Sequence, residues 1–567
     1  MGIKKLKQKF IKKRFLFVIL TVFILFLGFK TFAQVPKCPC LNEQLVRVAI
    51  TGNSFKPLTY NQISIIATAD YALYYKNSAR QIVKFDKGDI ADVQYKYGKF
   101  TIKTGNKIVA RGLKGTLVFD CPTGLLGVEY LQRKGKQALY HGTFELTPKN
   151  DCRFFLVNVL SLQNYLRGVV PNEMPAKFGL EALKAQAVAA RNYVLMPRNR
   201  AFEEFDVDDS VSSQVYFGAN TEEPLTNLAV LETEGLVALN GWDLILAQYS
   251  STAGGYTESY ENVFSEAGTK FPSIPRCYLK GKPDVKTLGL LNREEEARLF
   301  YMSCPDSYDI KSPYYRWQRE WNVRELEKTL KQTLAEQSAT GFVQPEFKKS
   351  DELGNLKEIK VAKRGLSGKI IELEIITDEK IYHIFKELVI RRLLKKDGKS
   401  LPSANVVFDN LYDSNNKLYK IQAYGGGYGH GVGMSQYGAG FMSTVLNKKF
   451  DEILKRYYSE ITISTVPVIL SSNEGQKIVT QRFFASKKLA NIVIDNKYKI
   501  DKINAKINGK LITLELKKGI MPKYRVIKID ISENIKKGKN EIIFYFPEQT
   551  CDKALRLYVE LVGKDEG

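Results

Sequence analysis

Imidazole, indole and thiol are scarce in this sequence: three histidines, three tryptophans and seven cysteines in 567 residues. None of the cysteines forms a CxxC pair, which excludes the usual spacing of a zinc site or a thioredoxin-like centre. No GK[ST] follows a glycine loop, and no GxGxxG opens a helix with a later acidic partner, so a phosphate-binding loop is not expected. No internal repeat and no low-complexity tract is present. Nor is there an apolar run of the roughly 20 residues that span a bilayer comfortably.

The chain does have a large basic excess, formal charge +24, with 44% hydrophobic and 26% charged residues, the composition of a globular protein. Its length allows two to four domains. Seven cations between Lys4 and Arg14 precede an apolar stretch from Phe15 to Phe29, closed by Lys30. This reads as a signal peptide or a signal anchor over residues 1–33, with a small residue, Ala33, before a cleavage point. In either case the basic end stays inside and the rest faces outward, so the protein is expected to be extracytoplasmic, secreted or anchored to the cell membrane. Such a protein meets anionic lipid and envelope polymers first, and no nucleic-acid motif accompanies the charge, so nucleic acid is not an expected partner. In an oxidising compartment Cys121 with Cys152, and Cys277 with Cys304, are possible disulfides, with connectivity open.

From residue 41 to 159 short alternating runs such as LVRVAI and FTIKTG, broken by Gly, Asn and Asp, predict a β-rich region. Helical spacing appears in NREEEARLFYMS and VRELEKTLKQTL, strands return in GKIIELEIIT, and a further helix follows His383, which is placed in a turn. Residues 466–567 carry densely apolar runs between NGK and KKGKN turns and read as a small accessory β-sandwich. The expected fold is α+β: a mixed β-rich core over 160–465, interrupted around 280–360, between an N-terminal β-rich region and the sandwich.

The stretch Leu162–Leu195, LQNYLRGVVPNEMPAKFGLEALKAQAVAARNYVL, predicts an extended segment, a turn at Pro175, and a helix with Leu180, Leu183, Ala187, Ala190 and Val194 at three- and four-residue steps. Glu173 sits just ahead of that helix. Lys184 and Arg191, seven residues apart, share a face beside the apolar stripe. Two further stretches stand out. YSSTAGGYTESYENVF (249–264) offers Ser251, Thr252, Tyr256 and Glu258 around a Gly-Gly bend, and YGGGYGHGVGMSQYGAG (424–440) offers His430, Ser435, Gln436 and Tyr437 on a glycine-rich backbone that can approach another segment closely.

These three stretches, in this order, resemble the motifs of the stage II sporulation protein D family, which includes the amidase enhancers; SPYYRW (312–317) also resembles a family element. The resemblance spans roughly 154–458. It implies a lytic transglycosylase of peptidoglycan in which Glu173 is acid then base, and in which the muramic acid 6-hydroxyl closes on the anomeric carbon, so one carboxyl suffices without a second nucleophile. It also implies roles for Lys184 and Arg191, and a preference for glycan strands stripped of stem peptides. The remaining candidates, Ser251, Thr252, Tyr256, Glu258, His430, Ser435 and Gln436, would bind substrate. The alternative is a non-catalytic amidase enhancer that binds glycan or a cell-wall amidase. Some relatives hold a metal through cysteine and histidine just before the QVY triplet (214–216). Here Asp208, Ser212 and Ser213 occupy those places, so no metal and no cofactor are expected, and hydrogen bonds should hold the loop.

Overall fold

The computed structural model describes residues 44–562 except 77, 79, 197–202, 267–270, 286–288, 472–477, 498–499, 517–525 and 547–553. The N-terminal apolar segment, Cys38, Cys40 and Cys551 lie outside the described residues. The fold is mixed and strand-rich, with seven sheets among the described residues. No helix among these residues is long and apolar enough to cross a membrane.

From Leu45 to Ser161 the chain forms two antiparallel sheets. One is ordered through Leu45–Ala49, Arg153–Ser161, Thr143–Asn150, Leu117–Asp120, Tyr71–Tyr75 and Gln81–Phe85; the other through Lys136–Tyr140, Leu126–Arg133, Gln62–Ala67, Ala91–Lys96, Lys99–Thr104 and Lys107–Leu113. Alternation drives their pairing: Phe100 and Ile102 point inward while Lys99 and Thr101 do not. Ile65, Phe100, Phe119, Leu146 and Leu156 are fully buried in one core.

Leu162–Glu173 is a helix, not the extended segment expected. Ser161 caps it by accepting from the Asn164 amide at 3.3 Å, and Leu162, Tyr165, Leu166 and Val169 recur at helical spacing and are buried. Met174 and Pro175 break it, a single 3-10 turn follows (Ala176–Phe178), and Gly179 at φ 87° leads into the helix Leu180–Leu195. Every residue from Ala182 to Asn192 on this second helix is buried, so it is a central core helix with no solvated stripe. Pro224–Leu231, Gln436–Thr444, Phe450–Tyr457 and the strand Leu236–Asn240 pack around it.

A second core, around Trp321, Leu330, Leu373 and Ile384, joins the helix Val323–Ser338 to two small sheets. His383 lies in a strand of one of them, Ile381–Phe385, not in a turn. The C-terminal strands form two sheets. One of these runs into the core, because Leu236–Asn240 pairs with Thr462–Thr465, which pairs in turn with Ala554–Leu561.

The proposed cysteine pairings do not occur: Cys121, Cys152, Cys277 and Cys304 are all free. Cys121 is buried with its thiol facing the Ala69 and Asp70 carbonyls at 3.7 and 3.6 Å, whereas Cys152 is exposed in a turn.

Candidate active site

Glu173 is the last residue of its helix, where the macrodipole disfavours a negative charge. Its Oε1 accepts from the Val215 amide at 2.8 Å, and the Tyr249 and Gln436 side chains also bond to the carboxyl. Burial is the largest influence and outweighs these donors, pushing the carboxyl up from 4.5 to about 7. Glu173 as a residue keeps some exposure, while its carboxyl is turned into the interior.

The donors are themselves oriented. Tyr165 donates to Gln214 Oε1 at 3.1 Å, and Gln214 Nε2 donates to the Tyr249 oxygen at 3.0 Å, which leaves the Tyr249 proton for Glu173. Gln436 Nε2 also donates to Gln186 Oε1 at 3.2 Å, tying the third motif to the core helix. Ser435 is buried and caps Gln436–Thr444 by accepting from the Gly438 amide at 3.3 Å.

His430 supports Tyr249 from behind. Its Nδ1 accepts from the Val432 amide at 3.0 Å and its other nitrogen donates to the Tyr249 carbonyl. Burial first, then the cations Lys369 and Arg391, push the imidazole down to about 3, so it is neutral across the physiological range.

The second and third motifs are joined backbone to backbone. Tyr249–Ser250 pairs in parallel with Met434–Ser435, and Thr252 exchanges both amide bonds with Tyr428. Close approach requires glycine here: a Cβ on Gly427, at φ 92°, would lie 2.9 Å from the Thr252 oxygen. Asp309 Oδ2 accepts from the Gly254 and Gly255 amides at 2.7 and 3.4 Å and holds the bend.

The other expected site residues are not at Glu173's carboxyl. Glu258 is fully buried, accepting from Ser259, Asn262 and Ser367. Tyr256 is buried in an apolar cluster with Phe300 and Tyr301. Thr252 is buried against Ser312 at 2.6 Å, and Ser251 is half-buried beside it. Lys184 pairs with Glu181 at 2.9 Å and Glu232 at 2.6 Å, in a separate cavity of about 320 Å³ that Lys455, Lys487 and Phe484 also line. Arg191 is fully buried and donates to the Leu236 carbonyl at 2.8 Å; burial lowers its guanidinium to about 10, and it stays charged. Spacing along the helix sets these two cations two turns apart but does not say which neighbours they meet. Val215, Gln214 and Tyr249 complete the site, and their only sequence signal is membership of the QVY triplet and of the start of the second motif.

The loop before QVY is closed by hydrogen bonds. Asp208 accepts from the Ser210 amide and hydroxyl at 2.9 and 2.6 Å and from the Ser212 hydroxyl at 2.5 Å. Among the described residues, Glu372, Glu374 and His383 could share a cation, but Lys360 already sits 3.2 Å from Glu374.

The stage II sporulation protein family profile matches residues 150–239, and a domain of unknown function matches 269–433. The chain is 31% identical over 337 residues to stage II sporulation protein D of Bacillus subtilis, covering 57% of this chain and 79% of that protein. It is 30% identical over 321 residues to the amidase enhancer of the same organism, covering 53% of this chain but only 40% of that longer protein. An uncharacterised protein of Brachyspira hyodysenteriae is 28% identical over 427 residues, 74% of this chain and 93% of that one. With the motifs, their geometry and these relatives in agreement, the chain belongs to the stage II sporulation protein D family.

Proposed function

We propose that the protein is an extracytoplasmic lytic transglycosylase that cleaves peptidoglycan glycan strands in cell-wall remodelling, with Glu173 as acid and then base. The observation that carries this reading is the Glu173 carboxyl itself, raised to about 7 by burial yet supplied with three donors. A carboxyl poised near neutrality can protonate the glycosidic oxygen as the bond to the anomeric carbon breaks. The carboxylate left behind is stabilised by the Val215 amide, Tyr249 and Gln436. It then takes the proton from the muramic acid 6-hydroxyl as that oxygen closes on the anomeric carbon, giving a 1,6-anhydro end and restoring the acid. The sporulation setting, the membrane anchor or its cleavage, and glycan binding by Ser251 are parts of the same proposal.

The second reading, an amidase enhancer that binds glycan or an amidase without cleaving, is favoured by the relative of that name. One experiment separates the two. Purified protein and its Glu173→Gln variant are incubated with peptide-free glycan strands, and products are read by mass spectrometry. Anhydro-muramic ends from the wild type alone support the transglycosylase. No products from either, with an added amidase stimulated equally by both, would establish the enhancer.

A further inference from the structure

Tyr314 and Tyr428 lie beside the candidate site but take no part in its chemistry. Their ring centroids are 4.4 Å apart at 41°, Tyr428 is 43% exposed, and Tyr314 is half-buried. Among the described residues neither phenol oxygen is bonded to a protein group. An aromatic pair left partly in water forgoes much of the stabilisation its burial would give, which points to a partner that covers it.

The pair is held rigidly and tied to the strand that reaches Glu173. Tyr428 donates its amide to the Thr252 carbonyl at 2.9 Å, and the Gly427 amide donates to the Tyr314 carbonyl at 2.8 Å. A row of hydroxyls links the two places: Ser251 Oγ lies 3.3 Å from Thr252 Oγ1, which lies 2.6 Å from Ser312 Oγ, which accepts from the Tyr314 amide at 3.2 Å. Tyr249, whose side chain bonds Glu173, is three residues before Thr252, about 10 Å of extended chain.

Arg316, next to the pair in sequence, is already engaged, giving its guanidinium to the carbonyls of Gly254, Phe300, Ser303 and Tyr315. What fits flat aromatic faces carrying free phenol oxygens is the C–H face of a sugar ring, whose rim hydroxyls can meet those oxygens.

We propose that Tyr314 and Tyr428 form a carbohydrate subsite, stacking a pyranose ring of a glycan strand one or two sugars away from the bond at Glu173. This rests on the reading of the protein as one that acts on glycan. The test is binding of peptide-free glycan strands, measured by calorimetry on a Glu173→Gln background so that no strand is cut. Added Tyr428→Ala or Tyr314→Ala should weaken binding about tenfold, whereas Tyr428→Phe or Tyr314→Phe, which keep the ring, should stay within about threefold of the parent. Melting curves that match the parent show that the alanine variants fold. Folded alanine variants that bind like the parent would overturn the subsite, as would phenylalanine variants that lose as much as alanine. If the Glu173→Gln protein binds and depends on the two rings, but the wild type releases no anhydro ends, the subsite stands and the transglycosylase reading falls. Absence of binding by the parent overturns the subsite and the glycan reading together.

Discussion

Glu173 concentrates the residue-scale chemistry. Its native carboxyl holds a proton up to about pH 7, whereas the unfolded side chain loses it near 4.5. The native state therefore binds more protons between those values, and this group's contribution to stability, full below about 4.5, is lost as pH rises through about 7. Glu173→Gln abolishes that dependence. At pH 8 the variant should melt about 2 °C or more above the wild type, with the difference shrinking towards pH 5, as calorimetry across that range will show. Cleavage that needs the protonated acid should fall as pH rises through about 7. Tyr249→Phe removes a donor to the carboxylate, so the limb of the pH-rate profile should move upward, by up to about one unit. An unmoved limb would mean that Tyr249 does not touch the titrating group.

At the scale of elements, the site exists because four segments converge: the end of the helix Leu162–Glu173, the QVY loop, the strand at Tyr249 and the start of the helix Gln436–Thr444. Their convergence depends on backbones in contact. Gly427→Ala would force a Cβ to 2.9 Å from the Thr252 oxygen at a positive φ, so it should cost about 1–3 kcal/mol, lower the melting temperature, and reduce cleavage by loosening Tyr249 and Gln436 together. The helix Leu180–Leu195 lies where three- and four-residue spacing puts it. The helix before it reads as extended in sequence, with a turn at Pro175 just beyond it, while Ser161, its cap, is an unremarkable residue until its amide partner is seen.

Among the described residues, the main core joins the N-terminal strands to the C-terminal ones. One apolar cluster runs from Val46 to Val559, and Val237 and Leu239 pack against Val493 and Tyr558. Removing residues 466–567 would bare that face and free an edge strand at Thr462–Thr465. The truncated chain should aggregate and lose its cooperative melting transition, which size-exclusion chromatography and circular dichroism will detect. A monomeric fragment that melts like the full chain would show that the C-terminal strands are dispensable to the core.

The amino-acid order alone determined the strand-rich character, the helix with Lys184 and Arg191 on one face, and the three motifs that mark the family, because periodicity and motif spacing are local properties written along the chain. Tertiary structure alone decided what each side chain faces. Proximity in sequence grouped Glu173, Lys184 and Arg191, but packing sends Lys184 to Glu181 and Glu232 and Arg191 to the Leu236 carbonyl, while it brings Val215, Tyr249 and Gln436 to Glu173 from 42 to 263 residues away. The pKa of a carboxyl follows its desolvation and its donors. Both are supplied by segments remote in sequence, so no local pattern could have shown that Glu173 is poised near neutrality while Glu258 is held by four bonds in the interior.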